Sequence, residues 1–405
     1  MPTSPPSIKD WLDFWKFRGS WTVSKTPPGI YAINTNYDVT NPAWGTLAGA
    51  SMAKTLPEGE DVKPETASTF EIGTQLNFLE NRFMIDITYY DKLMYNFIVK
   101  GKVSSASGFT NVFVNSKEKI SRRGWEVTLN ANVIKDGRWN WNVNVNWSKY
   151  ARYYRNLDEE YSSKNPWVKV GERVDAYALK DYAKDKDGNH IFNNGRIQFN
   201  PYTSVYGYSD PDWIWGFSTD LSYKNITLSL SFDGRVGGLT NSMTESYLWA
   251  SGSHPNSLTP ERAADVAIPG SKNFLGNGVK VVSGKVTYDN YGNVLSDDRV
   301  FAPNDVKTVY SQYVKDMHSG IAWGGNGRPA DCYSTTFVKL REVSLSYQLP
   351  ARWLRGWLKS ASVAFVGQNL WMWAKDFKYS DPDGGIDNFN DPSVRYLGMN
   401  VKLNF

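Results

Sequence analysis

A chain of 405 residues with 15% aromatic and 21% charged residues, 17 Trp and 24 Tyr, and a mean hydropathy of -0.49, is too rich in large apolar side chains for a disordered polymer and holds no apolar run long enough for a spanning helix. Its formal charge of +4 is small for this length and its basic residues are scattered, which speaks against a nucleic-acid surface. The one cysteine, Cys332, excludes an internal disulfide and suits exported bacterial β-proteins and the cytosol alike.

Residues 1–9 are rich in Pro and Ser and carry neither the charged nor the apolar part of a signal peptide. If the protein is exported, the chain is therefore expected to be the C-terminal part of a longer one, or one polypeptide of a split one. Trp15, Phe17 and Trp21 against Lys16, Arg18 and Ser20 predict a first strand, followed by a polar loop to about residue 67. Phe70, Ile72, Leu76 and Phe78 alternate with Glu71, Gln75 and Asn77. After a tight turn at 80–82, Phe83, Ile85, Ile87 and Tyr89 return, with Asp86 and Thr88 opposite.

A Gly/Ser loop at 100–111 leads into the most regular stretch of the chain. There Trp125, Val127, Leu129, Ala131 and Val133 face away from Glu126, Thr128, Asn130 and Asn132. After residues 134–138, Trp139, Trp141, Val143, Val145 and Trp147 alternate with Asn140, Asn142, Asn144 and Asn146. A period of two makes one face wholly apolar and the other amide-rich. One sheet of a soluble β-sandwich alternates in the same way, so this hairpin alone leaves both sandwich and membrane barrel open. Aromatic residues near strand ends and a neutral polar face lean towards a barrel with a girdle and a wet lumen.

After wandering from 150 to 211, the chain resumes with Trp215, Phe217, Leu221 and Tyr223, turns at Lys224 and Asn225, and returns through Ile226, Leu228, Leu230 and Phe232. The longest excursion, about 234–335, precedes three closing strands at 336–347, 362–373 and 394–405. The count is about ten, and the connections alternate long, short, long, short to the end. A sandwich has no reason to sort its loops by parity, whereas a transmembrane barrel has short periplasmic turns and long extracellular loops. In the last strand Leu397, Met399, Val401, Leu403 and the terminal Phe405 share one face. Such a strand resembles the signal by which outer-membrane barrels are recognised for assembly, carried here by Met399, Val401, Leu403 and Phe405.

FVKLREVSLSY at 337–347, GQNL at 367–370, Asp381-Pro382-Asp383, Pro392, Arg395 and the terminal Phe405 together resemble the C-terminal region of the SusC/RagA family of TonB-dependent outer-membrane transporters. ISRRGWEVTL at 120–129 and SDPDWIWG at 209–216 extend the series over nearly the whole chain. The resemblance implies an all-β fold: an antiparallel transmembrane barrel segment, the last ten or so strands of a barrel of about 22. Residues 1–405 would all belong to that barrel, with the N-terminal plug outside this sequence. It further implies import of oligosaccharides or peptides across the outer membrane of a Bacteroidetes-type Gram-negative bacterium. The implied partners are a SusD-like lipoprotein lid, the plug and the rest of the barrel, TonB acting through the plug-bearing part, and outer-membrane lipids.

Reaction chemistry is sparse. His190, His254 and His318 stand far apart, near no cysteine or carboxylate group with zinc spacing. Asp185, Asp187 and Asn189 have the spacing that opens a calcium loop, but His190 stands where that loop needs Gly and Arg196 where it needs Glu. A stabilised turn is the expectation, with a weak structural calcium site as the alternative and no other cofactor. Gly324, Gly325 and Gly327 follow no strand and lack a phosphate-loop lysine. No nucleophile, base or metal set sits on the strands, so an enzyme is not expected.

Function is expected in the long loops. Val306, Val309, Tyr310, Tyr313, Val314 and Met317 predict a helix over 304–320 capped by Asn304 and stopped by Gly320, its stripe covering the rest of the loop or a lid. A shorter helix is predicted from Thr259 and Pro260. Tyr202, Tyr206, Tyr208, Trp249 and Trp323 are loop aromatics that could stack on sugar rings or peptide side chains, or pack the loops together. Two other readings remain open at this stage: a soluble carbohydrate-binding β-sandwich, and an autonomous ten-stranded barrel acting as adhesin or enzyme.

Overall fold

The computed structural model describes residues 11–29, 37–40, 49–52, 55–56, 62–107, 109, 111–318, 320, 322, 327–354, 356, 358–384, 387 and 393–405. The alternating segments form ten long strands: β1 (Leu12–Thr26), β2 (Glu65–Phe78), β3 (Phe83–Tyr95), β4 (Lys119–Lys135), β5 (Trp139–Asn156), β6 (Pro211–Tyr223), β7 (Ile226–Gly237), β8 (Phe337–Gln348), β9 (Ser360–Ala374) and β10 (Tyr396–Asn404). Short connections at 79–82, 136–138, 224–225 and 349–359 alternate with long ones at 27–64, 96–118, 157–210, 238–336 and 375–395. The chain divides into two compact units, residues 1–128 with 148–174 and residues 129–147 with 175–405, so β4 and β5 contribute to both.

In the first unit the strands follow one another in chain order, β1 to β5. Trp21 pairs with Phe70 and Trp15 with Leu76, while Ile72 pairs with Tyr89 and Leu76 with Ile85. The apolar face stays uncovered: Trp15 and Trp21 are 68% and 73% exposed. In water such a face would be an aggregation hazard, and in lipid it is the required surface. Tyr89 and Trp125 meet on it with ring centroids 5.0 Å apart. Two residues beyond each ring, Asp91 accepts from Arg123 Nε at 2.9 Å, and it also accepts from Ser121 Oγ, two residues further along, at 2.6 Å. Aromatic and then ionic side chains mark where hydrocarbon would give way to headgroups and water.

On the opposite face Arg18 Nη1 donates to Asp86 Oδ2 at 2.7 Å. Its path crosses Gly73, the residue between Arg18 and Thr88 in the register. A Cβ at Gly73 would lie 3.0 Å from the guanidinium, so a larger residue there would push Arg18 aside by a few tenths of an ångström.

β5 runs to Asn156, beyond the expected wandering from Tyr150. Backbone bonds from Val174 N to Arg152 O at 2.9 Å and from Tyr154 N to Glu172 O at 3.0 Å hold the extension. That partner is distant in sequence and invisible to periodicity.

In the second unit the order runs from β4 and β5 through β6, β7, β8 and β9 to β10. The amide face forms a ladder: Asn132 Nδ2 donates to Asn140 Oδ1 at 3.0 Å and Asn142 Oδ1 at 2.8 Å, and Asn146 Nδ2 to Asn144 Oδ1 at 2.8 Å, with Asn144 also donating to Asn130. On the other face Trp141 Nε1 donates to Thr219 Oγ1 at 2.8 Å, and Trp139 packs on Tyr223 at 4.4 Å. Phe365 pairs with Met399 and Val363 with Val401, which aligns the apolar face of β10 with that of β9.

The loops of this unit are folded. Residues 191–193, 196–197, 279–283 and 300–303 make a four-stranded sheet, 176–179 pairs with 204–208, and 286–288 with 294–297. Among the described residues three α-helices accompany them: α1 (Met243–Ser251), α2 (Pro260–Ala267) and α3 (Tyr310–Met317). α2 starts where Thr259 and Pro260 predict, with Thr259 accepting from Arg262 N. α3 corrects the expected helix over 304–320. Asn304 caps no helix: it donates to Gly276 O at 2.9 Å and accepts from Val306 N, holding a turn. The helix begins at Tyr310 without a side-chain cap. Its apolar stripe covers the rest of the loop, with Tyr313 and Tyr310 against Phe274 at 4.0 and 5.6 Å.

α1 was not foreseen, although Ser242-Met-Thr-Glu245 spells a capping box. Ser242 Oγ accepts from Glu245 N at 3.1 Å, and Gly252 closes the helix at φ 72°.

Candidate functional site

Two polar assemblies in the second unit stand out, one on the strand wall and one in the loops. On the wall Lys339 and Arg341, two residues apart, share one side of β8, and a register shift between Leu340 and Glu342 leaves Arg341 out of the ladder pairing. Lys339, 1% exposed, donates to Asp381, to Asp383 Oδ2 at 3.1 Å and to Ser393 Oγ at 2.9 Å. Arg341 reaches Asp233 with two bonds of 2.6 and 2.7 Å and Asp383 at 2.6 Å. Burial works to raise the Asp383 carboxyl, but Arg341 and Lys339 hold it below the usual carboxylate range. Arg235 adds bonds to the carbonyls of Thr335, at 3.2 Å, and Pro382. The Asp381-Pro382-Asp383 turn is thus fastened to the wall by three cations.

In the loops, Trp249 of α1 lies between two imidazoles. His254 stacks on one face at 4.1 Å and 9°, His318 on the other at 4.0 Å and 6°. Each imidazole has its own buried acid: His254 Nε2 lies 2.8 Å from Glu245 Oε2, and His318 Nδ1 3.0 Å from Asp331 Oδ1. Burial raises Glu245 to about 7; Asp331 and Asp387 add to the rise and Lys378 opposes it. Burial lowers His254, with His318 and Lys378 acting in the same direction. Asp387 accepts from Thr244 Oγ1 at 2.6 Å and from the Ser242 hydroxyl, which ties the start of α1 to the last long loop. Each of these groups meets a neighbour of its own chain, although among the described residues Asp331 Oδ2 and Glu245 Oε2 are buried without a hydrogen bond, and the arrangement clasps the loops together.

Residues 8–223, more than half of the chain, match the family described as TonB dependent receptor-like, beta-barrel. The chain belongs to this family. TonB-dependent receptor P26 of Formosa agariphila is 23% identical over 398 residues, covering 85% of this chain and 35% of the relative. TonB-dependent receptor P3 of the same organism is 21% identical over 440 residues, covering 96% and 39%. The chain therefore spans little more than a third of the length of these relatives. Among solved structures, that of the RagAB peptide transporter matches with a TM-score of 0.68 at 16% identity, over 98% of this chain and 41% of that one. The RagAB peptide importer in its closed-closed state gives 0.67 at 17%, over the same shares. Both show a shared fold, in keeping with the SusC/RagA resemblance of the sequence.

As a TonB-dependent receptor barrel portion the chain lies in the outer membrane, crossing it with strands, and its relatives are receptors rather than enzymes. The soluble sandwich is set aside. The apolar strand face meets lipid, the amide face lines the lumen, and the long connections are extracellular.

The loop aromatics singled out from the sequence have different settings. Trp249 has both faces covered by imidazoles. Tyr202 packs on Tyr288 at 5.5 Å and over Gly292. Tyr206 and Tyr208 are exposed on the 204–208 strand, and Trp323 lies outside the described residues, as do Gly324, Gly325 and Pro392. Asp185 forms a self-contained turn, its carboxylate accepting from Asp187 N at 2.9 Å, Asn189 N at 2.8 Å and Asn189 Nδ2 at 2.9 Å. The same pattern recurs at Asp289 and Asn293. Among the described residues no group of three or more His, Cys, Asp or Glu could hold a metal ion. The wall cluster and the imidazole clasp were missed. Lys339, Arg341, Asp381 and Asp383 lay inside the recognised motifs, but their joining across the fold left no spacing to read.

Proposed function

We propose that the chain is the barrel portion of a TonB-dependent importer of oligosaccharides or peptides. A plug from the N-terminal part of the receptor fills the lumen, TonB supplies energy through that part, and a SusD-like lipoprotein covers the extracellular mouth. The observation that carries this reading is the sorting of connections. Turns at one end are as short as two residues, 224–225, while the other end carries folded lobes with helices and sheets of their own. Minimal turns serve only to reverse the chain. Folded lobes built on a rigid wall are where binding is found. The fold shared with the RagAB peptide transporter supports peptides as one substrate class. Tyr202, Tyr206 and Tyr208 are exposed loop aromatics suited to a first encounter, and Met399, Val401, Leu403 and Phe405 would present the barrel to the assembly machinery.

The test is detergent extraction of native outer membranes, affinity purification on this chain and mass spectrometry of what accompanies it. A plug-bearing segment and a lid lipoprotein are expected. A chain recovered alone in the soluble fraction would sink the reading.

A further inference from the structure

The loop lobe holds a groove beside the imidazole clasp, with Trp249 of the clasp among its lining residues. α1, α2 and α3 enclose about 480 Å3, within the range of small-ligand sites. Arg262 and Lys315 line it, from α2 and α3, with Tyr310 beside them and Val266 and Pro269 as an apolar wall. Its one acid, Asp265, is committed to the fold, since its carboxylate accepts from Gly270 N at 3.1 Å and Ser311 N at 3.2 Å and so staples α2 to α3.

Arg262 is differently placed. It donates to Ser257 Oγ at 2.6 Å, and among the described residues it has no carboxylate partner. A guanidinium has five N–H donors in a planar fork suited to a carboxylate. Gly252 makes the space it occupies, since a Cβ there would lie 2.8 Å from Arg262 Nη2. Beside the groove, Val266 and Ile268 are 71% and 69% exposed, giving a cationic interior with an apolar rim.

We propose that this groove binds a carboxylate-bearing ligand, its carboxylate on Arg262 and its apolar part against Val266 and Pro269. The proposal deepens the importer reading, on which it rests, by placing an acid-selective capture site in the loops ahead of the lumen. A carboxylate can come from the C-terminus of a short peptide or from a uronic acid, and the experiment separates the two.

The purified full-length receptor in detergent is titrated calorimetrically with Ala-Leu-Ala, its C-terminal amide and trigalacturonate, for the wild type, Arg262→Gln, Arg262→Lys and Lys315→Gln. Ala-Leu-Ala with its free carboxylate is expected to bind at least about tenfold more tightly than its C-terminal amide. Arg262→Gln should abolish that preference, and Arg262→Lys should keep part of it. Preference for the peptide acid assigns the groove to peptides, and binding of trigalacturonate with the same Arg262 dependence assigns it to acidic sugars. Equal binding of acid and amide together with no binding of trigalacturonate overturns the proposal. So does a preference that survives Arg262→Gln. Lys315→Gln, which leaves the Ser257 turn intact, should weaken acid binding, and an unchanged affinity counts against the site. Uptake by intact cells, measured alongside, tests the importer reading separately: uptake that persists without the acid preference removes the groove and leaves the importer.

Discussion

Lys339 sits where one charge answers for two. Its ammonium meets both Asp381 and Asp383, and Lys339 itself is 1% exposed. Lys339→Met is expected to cost about 3 kcal/mol, because it strands carboxylates in a poorly solvated setting, although Asp383 keeps Arg341. The temperature at which the folded band is lost on a heat-modifiability gel measures it, and adding Asp381→Asn should restore part of the loss. Glu245 gives a pH dependence of defined sign. An exposed glutamate titrates near 4.5 and this one at about 7, so between these values the unfolded chain releases a proton that the folded one keeps. The lobe is most stable at the acid end of that window, loses stability as pH rises through it, and is flat above. Comparing hydrogen exchange of α1 in wild type and Glu245→Gln across pH 4 to 8 isolates a difference on the order of 3 kcal/mol. Burial pushes the Cys332 thiol up to about 12, with Asp376 and Asp331 adding to it. Alkylation at pH 8 should therefore run at least about tenfold slower in the folded than in the urea-unfolded protein.

At the scale of elements, every long strand was legible, because lipid on one side and water on the other impose a period of two for the full crossing. The same argument supplies a paired test on β5. Val143→Arg should cost about 2 to 4 kcal/mol if it lies near the midplane. Asn144→Arg, one residue along, loses its amide contacts with Asn130 and Asn146 but stays in the lumen. Folded yield in outer membranes should fall for the first and hold for the second, and equal losses would contradict the assignment of faces. The loop elements were harder to read. Strands such as 196–197 or 274–275 are too short to show a period, and they exist because a distant segment pairs with them. For α3, the apolar spacing continued upstream to Val306 while the chain did not, since Asn304 was engaged by Gly276 from across the loop. The clasp around Trp249 joins residues 245, 249, 254, 318 and 331, whose separations follow from tertiary folding alone.

At the scale of the molecule, β1 and β10 end the strand order, and all nine residues of β10 are exposed. A strand in that condition needs a further partner in the membrane, since unpaired backbone groups are costly in hydrocarbon. Produced alone, the chain is expected to fail to reach a heat-modifiable folded form, and co-production of the remaining receptor segments should rescue it. Folding of the isolated chain in outer membranes would instead establish a small autonomous barrel. Within the wall, the ladder of Asn130, Asn132, Asn140, Asn142, Asn144 and Asn146 offers groups that each donate and accept and none that is charged. In the proposed importer, a solute moving along it would exchange one hydrogen bond for an equivalent one at each step, whatever the sign of its own charge, and would meet neither a deep well nor a high barrier. What such a wall would minimise is friction.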